Sequence, residues 1–466
     1  MLADYLLIPL AIMGIVLILS LPILPTGKVL LFIVVGRSLT EFGAASEPSA
    51  ASAALSAVLG IVAIIAVFMP RGTRVPHRLH LPIGLILLVL IVGSVTRLVA
   101  GESPLGAFRE AVTLGSILAV FVLAYSFAAQ HLDKALKYLL WCSFPAAVIS
   151  VGGFFGGVPA MAASGDRMNG TFNHANTAGA FLAISALLAL CLALNLRRPR
   201  LLWIGGVSVL GLILTQSIGA WIGVLAALAV FVIATSALSG LQKGLLMVAS
   251  SVGALVAVTH LGLPDRFNDF INFNFEAAID QGVTSNSLDW RLLNWHLLIE
   301  AWQERPWFGY GLGASSTTLM PLEAPAHSLP IQLLVETGIV GCSLVAVAFA
   351  MVMAWILGVL KEGRWEAALL LALATFVLVN GSESNLLGYT PAMYLIALAC
   401  GVLCASIRHS RPRHLSTTPE KVWRRPWGID KPLAAHSHRR SVPSIHMITD
   451  LPPARVAPVR TGPDSV

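Results

Sequence analysis

The stretch DWRLLNWHLLIEAWQERPWFGYGLGASSTTLMPLEAPAHSLPIQLLVETGIVG, residues 289–341, decides how this chain is organised. Its first part carries apolar residues at i, i+3 and i+4 spacing, which predicts an amphipathic helix from Asp289 to Glu304, ended by Pro306. The tryptophans of this helix suit a bilayer surface, where amphipathic rings prefer to lie. The glycines at 309–313 do not follow a strand in a βαβ unit, so they indicate a turn rather than a dinucleotide loop.

His327 lies close to the start of a long apolar run in the same stretch. Ser328 is the predicted N-cap of a helix that begins at Leu329. The partial positive charge of a helix N-terminus disfavours the imidazolium form, so His327 is expected to be neutral near pH 7. Free backbone N–H groups beside it form an anion site. A base next to an anion site suits transfer from a phosphate leaving group to a hydroxyl.

The composition indicates an integral membrane protein. Hydrophobic residues make up 56% of the 466 residues, charged residues 11%, and the mean hydropathy is +0.81, whereas soluble domains average about 25% charged residues. The predicted fold is all-α and polytopic, with about twelve spans; thirteen is the alternative, because the first two runs form either a hairpin or one interrupted crossing. The apolar runs are 5–23, 28–44, 52–69, 81–99, 107–128, 136–156, 173–195, 201–216, 218–236, 243–260, 329–360, 365–381 and 388–407.

Basic residues set the predicted topology. The loops with Arg71, Arg197 and Lys361 and the C-terminal tail all fall on one side of the alternating spans, which the positive-inside rule makes cytoplasmic. The long gap 261–328 then faces outward, and its aromatic and amphipathic content predicts an ordered loop. We therefore divide the chain into a polytopic membrane domain, 1–410, and a disordered basic cytoplasmic tail, 411–466.

Composition and motifs also exclude several classes of function. The net charge of +7 comes largely from the short tail, which fits anionic lipid headgroups or topology control better than nucleic acid. The five cysteines lie in apolar runs and are interpreted as core residues, not disulfides. No HExxH, Walker or Rossmann motif is present, so we expect no metal and no cofactor, and the substrate must supply the energy.

Polar residues from two further segments are expected at the outer face. Polar backbone at membrane depth must be buried in protein or line a cavity, so the segment 214–217 is expected to lie at a cavity with segment 167–176. Each of these residues also has an alternative role outside catalysis. Asn173 and Asn176 can cap a helix, the arginines can contact lipid headgroups, and His174 can have a purely structural role. The residues expected to converge are Arg167, His174, Gln216, Arg291 and His327.

These motifs resemble those of the bacterial O-antigen ligase and polysaccharide polymerase family, over most of residues 1–407. The matching patterns, in order, are Arg-x-x-Gly-Thr-Phe-x-His-x-Asn at 167–176, Leu-Thr-Gln-Ser at 214–217, Arg-x-x-x-Trp at 291–295, Pro-Trp-Phe-Gly-Tyr-Gly-Leu-Gly at 306–313 and Ala-His-Ser…Gln-x-x-x-Glu-x-Gly-x-x-Gly at 326–341.

The resemblance implies a GT-C-like, metal-independent, inverting glycosyltransferase in the bacterial inner membrane. Such an enzyme uses an undecaprenyl-diphosphate-linked oligosaccharide at the periplasmic face, with membrane lipids around it and a chain-length regulator and flippase as candidate partners. By analogy His327 is the base that activates the acceptor hydroxyl, and Arg291 grips the diphosphate. The residues assigned to substrate binding are Arg291, Arg167, Gln216, Ser217, His174 and Asn176.

Two departures from the family pattern bear on the acceptor. The family's ligases usually carry an arginine after the Thr-x-Ser motif, where this chain has Ile218, and often Asn where this chain has Ser328. The first departure favours a polymerase, whose acceptor is another lipid-linked glycan, over a ligase, whose acceptor is lipid A–core. A non-enzymatic transporter is the third hypothesis. It is disfavoured because a matching pair of interrupted helices is absent from the sequence.

Overall fold

The computed structural model describes residues 16, 18–39, 50–69, 75–162, 167–236, 238–260, 275–280 and 287–409. Across these ranges the chain is helical and forms no strand; one isolated bridge joins Ala162 and Met168. Most of the first apolar run, the loop with Arg71, part of the long outward gap and the tail 411–466 lie outside the described residues. The tail's disorder and the division into two domains therefore stay predictions.

The helices follow the predicted apolar runs to within a few residues. They are α1 (Thr26–Leu39), α2 (Ala50–Phe68), α3 (His77–Val99), α4 (Pro104–Ala128), α5 (Leu132–Phe155), α6 (Ala175–Asn195), α7 (Leu202–Thr215), α8 (Ile218–Ala234), α9 (Gly240–His260), α10 (Phe275–Asp280), α11 (Ser287–Glu304), α12 (Leu329–Leu360), α13 (Trp365–Ser382) and α14 (Thr390–His409). The predicted amphipathic helix is α11, which begins two residues earlier than expected.

Seven of the described helices, α3 to α6 and α12 to α14, are long and apolar enough to cross a membrane. Ala54–Phe68, Pro199–Thr215 and Ile218–Ala234 are apolar but shorter. The protein is thus an all-α, multi-pass membrane protein. The predicted count of about twelve spans is not confirmed, because several predicted spans are shorter than a full crossing.

The bundle is built around α6, whose side chains are almost all buried. Its alanine-rich sequence lets α7 and α8 pack closely against it, and α14, α4 and α2 form a second packed group. In contrast, α3 and α12 bury few of their side chains, and apolar residues of α3 such as Leu87, Ile91 and Val95 are exposed. Exposed apolar surface of this extent on a spanning helix suits contact with lipid.

The connections that carry the predicted site residues meet at one end of the bundle. Met168 N–H donates to the Leu214 carbonyl at 2.9 Å, and the Thr171 hydroxyl donates to the Ser38 carbonyl at 2.9 Å. At the opposite end, the Arg364 guanidinium donates to carbonyls of Ser406 and Ile407. The alternation of loops predicted from the basic residues agrees with this arrangement.

A break in α12 fixes the glycine-rich turn in place. Gly338 has φ 61° inside the helix, and the turn supplies the hydrogen bonds that the helix loses there. Tyr310 N–H donates to the Val335 carbonyl and Ile339 N–H to the Pro306 carbonyl, both at 2.9 Å. A β-carbon at Gly338 would overlap the Trp307 carbonyl, so only glycine allows this contact. The segment leading to His327 is thereby tied to the helix that follows it.

Candidate active site

His327 precedes α12, and Ser328 is the N-cap residue, as predicted. The Ser328 side chain makes no capping hydrogen bond; its carbonyl accepts from Gln332 N–H at 2.8 Å. His327 itself has φ 48°, in the left-handed region that side chains other than glycine seldom adopt. Such a backbone conformation persists only where surrounding contacts hold it.

Those contacts come from α11. Asn294 Nδ2 donates to the Pro325 carbonyl at 2.9 Å, and Trp295 Nε1 donates to the Ala326 carbonyl at 2.6 Å. The Trp290 ring lies edge-on to the His327 imidazole, with 5.6 Å between centroids. The Trp295 indole N–H positions the segment that carries His327, and the expected place of this ring at a bilayer surface stays a prediction. The amphipathic helix is therefore a support for the histidine.

The His327 imidazole is neutral at pH 7. Burial, together with the neighbouring charges of Arg291 and His174, lowers its pKa to about 4. Its Nδ1 atom is buried without a hydrogen-bond partner among the described residues. The neutral state agrees with the sequence-based expectation, but the cause is burial and an adjacent cation more than the helix terminus.

Arg291 is held by a carboxylate that the sequence analysis did not single out. Its Nη1 donates to the Glu383 carbonyl at 3.2 Å and lies 3.9 Å from Glu383 Oε2. Burial raises the pKa of Glu383, and Arg291 partly offsets this effect. A β-carbon at Gly219, in the first turn of α8, would overlap the same carboxylate. Glu383 thus lies between a guanidinium and a helix N-terminus, where a negative charge is stabilised.

Arg167, His174 and Asn176 form a hydrogen-bonded group at the start of α6. Arg167 Nη2 donates to Asn176 Oδ1 at 2.9 Å, and its Nε donates to the Thr215 carbonyl at 3.0 Å. His174, not Asn173 or Asn176, caps the helix, since its Nδ1 accepts from Asn176 N–H at 3.0 Å. Partial burial lowers the pKa of His174, and Arg167 and Arg291 add to this. The helix-capping role that was the alternative for Asn173 and Asn176 is therefore filled by His174.

Gln216 and Ser217 form the turn between α7 and α8, the predicted polar interruption. Gln216 has φ 50° and ends α7, while the buried Ser217 is the N-cap residue of α8. A β-carbon at Gly179 of α6 would crowd Ser217, so this turn packs closely on the central helix. The next residue is Ile218, so the N-terminus of α8 carries no arginine side chain and faces the Glu383 carboxylate instead.

The structure brings five predicted residues into one electrostatic neighbourhood. His327 interacts with Arg291 and His174, and His174 interacts with Arg167 and Arg291. Gln216 and Ser217 adjoin this group through the Thr215 carbonyl. We call the set the arginine cluster; its members are Arg167, His174, Asn176, Arg291, His327 and Glu383.

Tyr389 is a second residue that the sequence analysis missed. Its hydroxyl is buried and interacts with the Asn176 side chain. Burial raises its pKa to about 12, an effect that Arg291 opposes. A tyrosine near the start of a membrane helix carries no signal in the sequence alone, because such rings are common at helix ends.

The arginine cluster combines two guanidinium groups with a neutral imidazole. Guanidinium groups match phosphate oxygens in geometry and charge, and a neutral imidazole accepts a proton. In the described part of the chain, no group of three or more His, Cys, Asp or Glu side chains is arranged to hold a metal ion. The cluster can therefore bind an anion and remove a proton beside it.

Glu336 is a buried carboxyl group two turns into α12. Its Oε1 accepts from Ser315 Oγ at 2.6 Å and from Gln332 Nε2 at 3.1 Å. The partners are neutral donors from the turn after Gly313 and from the preceding helical turn. Sequence spacing gives no indication of a partner 21 residues away in a turn.

Comparison with known families gives one match and no curated relative. Residues 206–346 match the family model described as O-Antigen ligase. The matched range runs from α7 to the first half of α12 and includes Gln216, Ser217, Arg291 and His327. No curated protein matches the chain. The match covers the same residues that carry the later motifs of the sequence, and it supports the resemblance to the O-antigen ligase and polymerase family.

Proposed function

We propose that this protein transfers a glycan from a lipid diphosphate, of the undecaprenyl type, to the hydroxyl of another lipid-linked glycan, and so polymerises a surface polysaccharide. The reaction takes place at the periplasmic face of the bacterial inner membrane. The observation that carries the proposal is the neutral, buried His327 imidazole beside the Arg291 guanidinium, at the start of a helix within the range that matches the O-antigen ligase family model.

The residues suggest one displacement step. The acceptor oxygen forms a bond to the anomeric carbon, while the bond from that carbon to the diphosphate oxygen breaks. The acceptor proton passes to the His327 imidazole, and Arg167 and Arg291 neutralise the diphosphate that leaves with the electron pair. Attack opposite the leaving group inverts the anomeric centre. The diphosphate bond supplies the free energy, so no cofactor takes part.

The donor itself is expected to tune the base. In the free protein the pKa of His327 is lowered to about 4, partly by Arg291. A bound diphosphate places negative charge beside both groups, which neutralises Arg291 and favours the imidazolium form. The pKa of His327 then rises toward the range in which a general base works best. The imidazole therefore becomes an effective base only when the leaving group is present.

A ligase that uses lipid A–core as acceptor is the second candidate, because the matching family model is described as O-Antigen ligase. The N-terminus of α8 favours the polymerase. Ile218 stands where the family's ligases usually carry arginine, and the Glu383 carboxylate lies against this helix end.

The test compares glycan pools in a strain that lacks the protein and in the same strain with wild type, His327→Ala or His296→Ala. His296 is an exposed histidine on α11 that pairs with Glu300, so it is a matched control. We expect single repeat units on the lipid carrier with His327→Ala and normal polymer with His296→Ala. Finished polymer that stays on the carrier would identify a ligase. Unchanged pools in both variants would refute the enzymatic proposal.

A further inference from the structure

A second polar site lies at the same end of the bundle. It is a cavity of about 180 Å³ between α1, α2, α4, α12 and α14, closed by residues 313–316 and 385–388. Within the described structure, none of its lining residues is a member of the arginine cluster. Pockets that hold drug-sized ligands measure about 300–1,000 Å³, so this smaller polar cavity suits one sugar ring.

Two buried oxygen atoms on its wall have no hydrogen-bond donor. Gln332 Oε1 and Asn385 Oδ1 are buried without a partner among the described residues. Gln332 Nε2 donates to Glu336 Oε1 at 3.1 Å, which fixes the amide so that its oxygen stays unpaired. A buried acceptor without a donor is unfavourable. A ligand that brings hydroxyl or N–H groups would supply the donor that each of these atoms lacks.

The charges on the wall indicate a neutral ligand. Arg37 and Arg109 contribute two positive groups, and Glu110 and Glu336 contribute two carboxyl groups. The cavity thus has one carboxyl group for each guanidinium group, whereas the arginine cluster has one carboxyl group for two guanidinium groups. Carboxyl groups, amides and guanidinium groups together supply both acceptors and donors, and a sugar ring presents both in return. A polyhydroxylated ring fits this wall better than a phosphate.

The cavity adjoins the histidine through three short chain segments. Three lining residues are close in sequence to members of the arginine cluster. Gln332 lies about one helical turn after His327, Asn173 precedes His174, and Asn385 lies two residues after Glu383. Residues of the cavity and members of the arginine cluster are thus close neighbours along three segments of the chain. In the proposed reaction the acceptor hydroxyl must meet the base on the side of the anomeric carbon that faces away from the diphosphate.

We infer that the polar cavity binds the terminal sugar ring of the acceptor glycan and presents its hydroxyl to His327. This inference rests on the proposed function and adds the site and chemical class of the second substrate. Gln332 and Asn385 accept hydrogen bonds from ring hydroxyls, and Arg37 and Arg109 donate to ring oxygens. Because the cavity is the size of one ring, recognition is confined to the end of the acceptor chain.

The experiment measures transfer by the purified full-length protein in lipid nanodiscs. The donor is the lipid-diphosphate-linked repeat unit, and the acceptor probe is the soluble repeat-unit oligosaccharide released from the same lipid by mild acid. Ala57→Leu fills the cavity, and Ala354→Leu adds the same volume at an exposed position of α12 that does not line it. Asn385→Leu removes the unpaired oxygen, whereas Asn385→Asp retains an acceptor at that position.

We expect Ala57→Leu to raise the KM for the acceptor at least tenfold and Asn385→Leu to raise it about fivefold to tenfold, the effect of one hydrogen bond. The KM for the donor stays within about twofold of wild type in both. Ala354→Leu behaves as wild type, and Asn385→Asp, which keeps an acceptor oxygen, raises the KM for the acceptor less than Asn385→Leu does. Retention of the donor KM shows that each variant is folded.

An unchanged acceptor KM in Ala57→Leu and Asn385→Leu would overturn the inference. A raised donor KM with an unchanged acceptor KM would also overturn it, because the cavity would then hold the donor's own sugar. If the wild type transfers nothing, the proposed function fails. Calorimetric binding of the soluble oligosaccharide to wild type and Ala57→Leu then decides the cavity independently, since binding needs no catalysis.

Discussion

The arginine cluster and the polar cavity lie at the same end of the bundle but differ in charge and in hydrogen bonding. In the cluster the two arginines already have partners, with Arg291 bonded to Glu383 and Arg167 to Asn176. In the cavity the charges cancel, and buried amide oxygens have no donor among the described residues. The first arrangement recognises charge and the second recognises hydroxyl groups.

This difference suggests how one fold separates two similar substrates. Donor and acceptor are both glycans, so sugar recognition alone cannot tell them apart. The diphosphate distinguishes the donor, and only the cluster has the charge to bind it. His327 lies at the junction, beside Arg291 and one turn before Gln332. Variants on the two sides should therefore change different kinetic parameters.

The largest expected effect comes from Arg291→Gln, which removes a charged donor from the cluster. Hydrogen bonds to charged groups contribute about 1.5–3 kcal/mol, so the KM for the donor should rise roughly 100-fold. The KM for the acceptor should stay near wild type, the reverse of the pattern expected for the cavity variants. Steady-state kinetics with each substrate varied in turn measures both. A parallel rise in both values would refute the separation of the two sites.

Arg291→Lys serves as the comparison within the same position. Lysine keeps the charge but loses the planar fork that binds phosphate oxygens in two places. We expect a donor KM between those of wild type and Arg291→Gln. A lysine variant equal to wild type would show that charge alone, without guanidinium geometry, holds the diphosphate.

Gly338→Ala should damage both sites together, because the break in α12 ties the turn before His327 to the helix that bears Gln332. The new β-carbon would meet the Trp307 carbonyl, and φ is 61°. We expect the free energy of unfolding to fall by roughly 1–3 kcal/mol. Thermal unfolding in one detergent measures the change.

Gly358→Ala is the matched control on the same helix. No atom lies within 4 Å of a β-carbon built at Gly358. Alanine in a helix is favoured over glycine by roughly 0.5–1 kcal/mol, so this variant should be as stable as wild type or slightly more stable. If Gly338→Ala and Gly358→Ala unfold alike, the break does not depend on glycine.

Apolar periodicity predicted the helices of this fold well. Long runs such as 329–360 and 365–381 became α12 and α13 with almost the same bounds, because hydropathy reports lipid contact directly. The count of full spans was harder to predict. Segments of 14–17 residues, such as α7 and α8, are apolar throughout but turn back after Gln216. Hydropathy does not distinguish a full crossing from a short hairpin.

The site was predicted in part. Arginines and histidines in a membrane protein attract notice because charge there is costly, so Arg167, Arg291 and His327 were identifiable. Glu383 and the amide oxygens of the cavity were not identifiable from the sequence, because the role of each depends on residues distant in the chain. The Glu383 contact with Arg291 spans 92 residues. Only the folded chain shows that this carboxylate lies beside the guanidinium.

Glu383→Gln tests whether the carboxylate competes with the donor for Arg291. Removing one negative charge 3.9 Å from Arg291 should strengthen diphosphate binding. We expect the donor KM to fall about threefold at low ionic strength and less at high salt, because these side chains are partly exposed. Glu300→Gln, on the exposed face of α11, should change nothing. A raised donor KM in Glu383→Gln would mean that Glu383 holds Arg291 in position.

The smallest expected effect is a change in the pH dependence of the melting temperature, which distinguishes the cluster from the cavity. The pKa of His327 falls from 6.5 to about 4 on folding, so the unfolded chain binds more protons between these values. The stability contributed by the neutral imidazole is complete above pH 6.5 and is lost as pH falls toward 4. In His327→Gln, the melting temperature should therefore fall less steeply over this range than in wild type. His174, whose pKa is also lowered, accounts for part of the remaining slope.

The variants His296→Gln and Asn385→Leu should keep the wild-type slope, because neither removes a buried neutral imidazole. Identical slopes in wild type and His327→Gln would show that His327 is not held neutral by the fold.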